Sequence, residues 1–228
     1  MSLFLQGWWW YPRTHTMDVL FFGALDPAKK LLYIPTAMVG HFSYEQCQKY
    51  IANIISSLWL SLEVEMHADL EELADTDLWV YAGIYIWGGN TYRLLYEIKK
   101  NGLDKKLIDF LDAGWHICWW SAGAILFGHD IDTAHDANIV GLRDSEALNQ
   151  ASGASFFCHY NEEDMREEIH MYVECHKHAV IALPEVGGVE ITSAWIKVIW
   201  DENVIVYTTS KEQKSFGAGE YIDSALRV

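Results

Sequence analysis

A serine set between an apolar strand and a run of small residues can serve as a nucleophile. The stretch His116-Ile117-Cys118-Trp119-Trp120-Ser121-Ala122-Gly123-Ala124 has that form, with a strand ending at Ser121 and a helix starting at Ala122. Such a turn holds a hydroxyl out at a strand end and aims the first helical N–H groups at a developing oxyanion. The hydroxyl needs a base to take its proton and a carboxylate to orient that base. His159 ends the apolar segment around Phe156, and Glu185 follows Leu183-Pro184. In chain order Ser121, His159 and Glu185 run nucleophile, base, acid, an order that convergent active sites permit. Gly88-Gly89-Asn90 offers a close backbone approach before a helix. An oxyanion hole would combine the N–H of Ala122 with one from Gly88 or Gly89.

Each residue also has a plain structural role. Ser121 could be only a helix N-cap, and Gly88-Gly89 only a tight strand-to-helix turn. His159 could be a satisfied structural histidine, Glu185 a solvated loop end, and Asp136 a cap or turn residue. Cys118, three residues before the serine, is a lesser nucleophile candidate. Cys175-His176-Lys177-His178, with His170 and Cys158, matches no standard zinc spacing, so neither a metal nor another cofactor is expected.

The elements that would position these groups follow from periodicity. Short apolar runs at Leu31–Ile34, Gly83–Trp87, His116–Trp120, Phe156–His159 and Ala179–Leu183 read as buried strands. Helical spacing predicts helices over Thr14–Leu25, Ser43–Leu60, Thr91–Lys100, Leu103–Ala113 and Glu162–Lys177. Ser43 and Gln46 have capping-box spacing, and Asn90 or Thr91 would cap the next helix. This alternation predicts an α/β fold, a mostly parallel sheet sandwiched by helices. C-terminal antiparallel strands are expected from Val189 to Thr209, turning at Asp201-Glu202-Asn203. Ser121, Gly88-Gly89-Asn90, His159 and Glu185 all fall at strand ends, where an open α/β sheet gathers ligands. No linker or repeat divides residues 1–228, so a single α/β hydrolytic domain is expected.

The composition restricts the partners. Hydrophobic residues make up 51% of the chain and charged residues 21%, as in a globular protein. A net charge of −16 argues against nucleic acid as a partner. No apolar segment reaches membrane-spanning length and no signal peptide is apparent, so no membrane partner is expected. Four cysteines without a CxxC pair fit a reducing, cytoplasmic setting. The oligomeric state stays open between monomer and homodimer.

Several segments occur together in a fixed order over about residues 1 to 210. They are Ile34-Pro35, the run from Gly88 to Leu95, Ser121-Ala122-Gly123-Ala124, Ala147-Leu148-Asn149, Cys158-His159-Tyr160 and Leu183-Pro184-Glu185. On these the chain resembles the dipeptidase E family of serine peptidases, which includes aspartyl dipeptidases and the related cyanophycinases. The resemblance implies a class I glutamine amidotransferase-like sandwich and a metal-independent serine hydrolase. By it, Ser121 would be the nucleophile, His159 the base and Glu185 the third member. Asp136 matches another acidic position near the family site, which leaves the orienting carboxylate open between Glu185 and Asp136. Where similar proteins carry small residues, this chain has Trp87, Trp115, Trp119 and Trp8-Trp9-Trp10. These six of its eleven tryptophans are expected along one edge of the sheet, either lining an aromatic cleft or crowding the site.

The expected function is a serine-type exopeptidase or dipeptidase acting on small peptides, with an N-terminal aspartate as one substrate option. Arg13, Arg93 and Arg143 are candidates to hold a substrate carboxylate. Two alternatives stand beside it. One is a non-catalytic member of the fold that binds a small ligand or peptide, and the other is a cyanophycinase-like hydrolase.

Overall fold

The computed structural model of the chain describes residues 2–7, 15–38, 41–199 and 201–226. The first half runs β1 (Ser2–Gln6), α1 (His15–Gly23), β2 (Lys30–Ile34), α2 (Tyr44–Ser57), β3 (Val64–Met66) and β4 (Tyr81–Ile86). It continues through α3 (Thr91–Lys100), α4 (Leu103–Asp112), β5 (His116–Trp120) and α5 (Ala122–Leu126). The second half holds β6 (Ser155–Cys158), α6 (Glu162–His176), β7 (Val180–Leu183), β8 (Gly188–Ile191) and β9 (Ile196–Val198). It closes with β10 (Val204–Tyr207), β11 (Gln213–Phe216) and α7 (Asp223–Leu226).

The strands form two sheets rather than one. A seven-stranded sheet has the order β3-β2-β4-β5-β1-β8-β9, and a four-stranded sheet the order β11-β10-β7-β6. From β3 to β1 the large sheet is parallel, while β8 and β9 add antiparallel. In the small sheet β6 and β7 are parallel, and β10 and β11 add antiparallel. The expected antiparallel C-terminal strands are therefore present, but they are divided between the sheets. Asp201-Glu202-Asn203 is a crossover from β9 in one sheet to β10 in the other, not a hairpin turn. Alternating strands of this kind fit either partner, so the periodicity alone could not separate them.

Period-two alternation decides which face each strand residue serves. In β5, Ile117 and Trp119 enter the core that joins both sheets with α3, α4 and α5. Cys118 and Trp120 point the other way, into the core under α1 and α2. A third core lies between α6 and the far face of the small sheet. Local signals set the helix starts. Ser43 accepts from the Gln46 N–H while the Gln46 side chain accepts from the Ser43 N–H, closing a capping box on α2. Asn90 caps α3 by accepting from the Arg93 N–H. Among the described residues, no helix is long and apolar enough to cross a membrane.

Candidate active site

The chemistry gathers where the carboxyl ends of β4 and β5 in the large sheet meet those of β6 and β7 in the small one. Ser121 continues the β1–β5 ladder for one more bond, donating its N–H to the Gln6 carbonyl at 3.0 Å. The chain then turns sharply into α5. Ser121 takes φ 47° and ψ −111°, a conformation that is costly for a residue with a side chain and that holds the hydroxyl out of the sheet. The first turn of α5 leaves N–H groups without intrahelical acceptors beside it.

The Gly88–Gly89 turn after β4 lies against this elbow. A Cβ on Gly88 would stand 2.8 Å from the Trp120 carbonyl oxygen and 3.2 Å from the Ser121 Cβ. At Gly89, φ is 133° and a Cβ would meet the Ala37 carbonyl oxygen at 2.4 Å. Only glycine allows both the approach and the conformation. Among the described residues, neither glycine N–H has a backbone acceptor, and both glycines line the cleft.

His159 follows β6 with φ 59°. Its Nε2 lies 2.7 Å from Ser121 Oγ and its Nδ1 lies 3.2 Å from Glu185 Oε1. Glu185 is carried by the Pro184 turn at the end of β7, and its Oε2 is buried with no hydrogen-bond partner among the described residues. With the Nδ1–H tautomer, which this network favours, the ring accepts from the serine and donates to the carboxylate. The arrangement can pass a proton from hydroxyl to imidazole and stabilise the imidazolium that results.

Asp136 faces the same cleft with a different attachment. Its Oδ2 accepts from the Thr91 N–H at 2.8 Å and from the Thr91 hydroxyl at 2.6 Å, at the start of α3. The cleft, about 300 Å³, is lined by Met38, His41, Phe42, Trp87, Gly88, Gly89, Ser121, Asp136 and His159. No motif in the sequence marks His41, Phe42 or Met38. Arg93 lines a separate cleft with Asp69 and Glu97, Arg143 is exposed on a loop, and Arg13 lies outside the described residues.

The tryptophans do not share one edge. Trp87, buried, stacks on Tyr50 with ring centroids 4.2 Å apart and forms a wall of the cleft. Trp119 and Trp120 are buried on opposite faces of β5. Trp115 precedes β5, at the end of the sheet away from Ser121, where it stacks on Phe110. Trp8, Trp9 and Trp10 lie outside the described residues. Cys118 is fully buried, and that burial pushes its thiol far above the usual range, which removes it as a nucleophile. Burial raises the Cys158 thiol as well, with the Glu185 charge adding to the effect.

Comparison with known proteins agrees with this architecture. Residues 14–199 match the model of peptidase family S51. Peptidase E of Shewanella sp. (strain W3-18-1) is 32% identical over 126 residues, covering 53% of this chain and 50% of the relative. Peptidase E of Shewanella sp. (strain ANA-3) is 33% identical over 127 residues, covering 54% and 50%. The chain thus aligns with about half the length of the curated relatives it matches. A crystal structure assigned to peptidase E from Listeria monocytogenes EGD-e superposes with a TM-score of 0.68 at 25% identity, over 87% of this chain and 98% of that one. That of a peptidase from an acI-B1 Actinobacterium gives a TM-score of 0.74 at 18% identity, over 97% and 96%, a likeness of fold. The fold is class I glutamine amidotransferase-like.

Proposed function

This chain belongs to peptidase family S51, and from that premise we propose that it is a serine peptidase that cleaves short peptides through an acyl-enzyme. The observation that carries the proposal is the relay from Ser121 Oγ to His159 Nε2 at 2.7 Å and from His159 Nδ1 to Glu185 at 3.2 Å. Ser121 attacks the scissile carbonyl as its proton moves to His159 Nε2. The oxyanion is held by the N–H of Ala122 with that of Gly88 or Gly89. His159 then gives the proton to the leaving amine, and the acyl group stays on Ser121 Oγ. Water, deprotonated by His159, releases the acid and restores the serine.

A cleft of about 300 Å³ is at the small end for ligand sites and suits a dipeptide or similarly short substrate. Among the described residues that line the cleft, His41 is the imidazole outside the Ser121–His159 relay, and a hydrogen bond from it to a substrate carboxylate keeps an N-terminal aspartate among the candidate substrates. Hydrolysis of Asp-X and Leu-X dipeptides by the wild type and by Ser121→Ala tests the reading. Ser121→Ala should lose kcat by roughly 10⁴-fold or more with the fold intact. Full hydrolysis by Ser121→Ala would overturn the mechanism.

A further inference from the structure

At the amino ends of β6 and β7, opposite the Ser121 cleft, three histidines and two aspartates converge. His129, Asp130 and Asp132 come from the segment after α5, His176 closes α6, and His178 leads into β7. Asp130 is buried. Its Oδ2 lies 3.3 Å from His178 Nε2 and 3.7 Å from His176 Nδ1. His176 Nδ1 is in turn 3.8 Å from Asp132 Oδ2. One ligand atom each from His129, Asp130 and His178 lies within 4.8 Å of the other two, and the same holds for Asp130, Asp132 and His176.

We propose that this cluster is a divalent transition-metal site, taking Zn²⁺ or a cation of similar chemistry, that fastens the segment after α5 to the end of α6 and the start of β7. Imidazole nitrogens with carboxylate oxygens are a donor set that suits zinc and its neighbours. Two such donors, each about 2.0–2.1 Å from a tetrahedral ion, stand roughly 3.3–3.4 Å apart. The Asp130–His178 spacing already has that value, and the two His176 spacings exceed it by a few tenths of an ångström. Two carboxylates offset the charge of the ion.

The surroundings hold Asp130 for this use. Its Oδ1 accepts from the Tyr172 hydroxyl, from the Asp132 N–H at 3.0 Å and from the Ser155 hydroxyl at 3.4 Å. These bonds orient the carboxylate as outer-shell partners do, with Oδ2 turned to the histidines. The Tyr172 and Ser155 hydroxyls also lie 2.9 Å from His178 Nε2, and Asp130 Oδ1 remains their acceptor once the imidazole is committed to an ion. No local spacing announces the cluster, because its donors come from two segments distant in the chain. Of the residues the sequence had grouped with His176 and His178, Cys158 lies at the other end of β6 against Ser121, and His170 packs on Tyr207.

The test is titration of the chelator-treated chain with Zn²⁺ by calorimetry and with Co²⁺ by absorption spectroscopy. It is done in the His159→Ala background, so that the imidazole beside Ser121 takes no metal. The expected result is one equivalent per chain, a Co²⁺ ligand-field spectrum of nitrogen and oxygen donors, and a raised unfolding temperature. Asp132→Asn and His176→Gln, both at the partly exposed side of the cluster, should each weaken binding about 10-fold or more. His135→Gln, outside the cluster, should leave binding unchanged. Metal-free unfolding curves identify any variant that has lost its fold. Absence of a saturable equivalent, or unchanged affinity in the folded Asp132→Asn/His176→Gln double variant, would overturn the proposal and leave a purely hydrogen-bonded latch.

Discussion

The indole of Trp119 lies over Gly123, so that a Cβ on Gly123 would stand 2.4 Å from Trp119 Cε3. Trp119 is wholly buried and meets Phe127 edge-on, with ring centroids 4.5 Å apart. The ring thus packs into the core against α5, away from the hydroxyl that Ser121 presents. A large residue two positions before the serine is accommodated because the residue two positions after it has no side chain. The elbow keeps its φ of 47° all the same.

That pairing predicts the effect of Gly123→Ala. The added methyl has no space while Trp119 is present, and overpacking of this kind costs about 1–3 kcal/mol. Denaturant unfolding should show a loss in that range, and a smaller one when the change is made together with Trp119→Leu. Equal losses in the two backgrounds would show that Trp119 is not what Gly123 accommodates.

Glu185 and Asp136 should separate by what their loss affects. Glu185→Gln leaves His159 without its carboxylate and should lower kcat by about 10²–10⁴-fold at nearly unchanged stability. Asp136→Ala instead removes an acceptor from the start of α3 and should cost about 1 kcal/mol in unfolding. Its kcat should change by less than about 10-fold. A larger kcat loss in Asp136→Ala than in Glu185→Gln would transfer the orienting role to Asp136.

His116, at the start of β5, gives a pH-dependent contribution to stability. Burial holds its imidazole below the usual 6.5, and its Nδ1 has no partner among the described residues. The unfolded chain therefore binds this proton at a higher pH than the folded chain does. The contribution is present above about pH 6.5 and is lost as pH falls toward the lower folded value. Between pH 7 and pH 5 the unfolding temperature should fall more steeply in the wild type than in His116→Gln. Parallel curves would remove His116 as a cause.

The parallel strands, the helices and their caps were legible because each depends on local chemistry. Ser43 and Gln46 show it for α2, and Asn90 for α3. The division into two sheets was not, since Ile196–Val198 and Val204–Tyr207 alternate alike and only packing assigns them to different sheets. Ser121, His159 and Glu185 were visible as strand-end residues. That they come from both sheets, with Ser121 and His159 lining one cleft and Glu185 behind the imidazole, is a matter of tertiary structure. The directions of Trp87, Trp115 and Trp119 depend on partners such as Tyr50, Phe110 and Gly123, which sequence proximity to the serine does not reveal.

The central claim is that Ser121 is a nucleophile activated by His159. It is tested most directly by treating the chain with a fluorophosphonate and locating the adduct by mass spectrometry. A single adduct on Ser121 is expected in the wild type, with loss of peptide hydrolysis in proportion to labelling. No adduct is expected in His159→Ala over the same time. Peptide hydrolysis that continues after Ser121 is fully modified, or labelling of Ser121 at the same rate in His159→Ala, would contradict it.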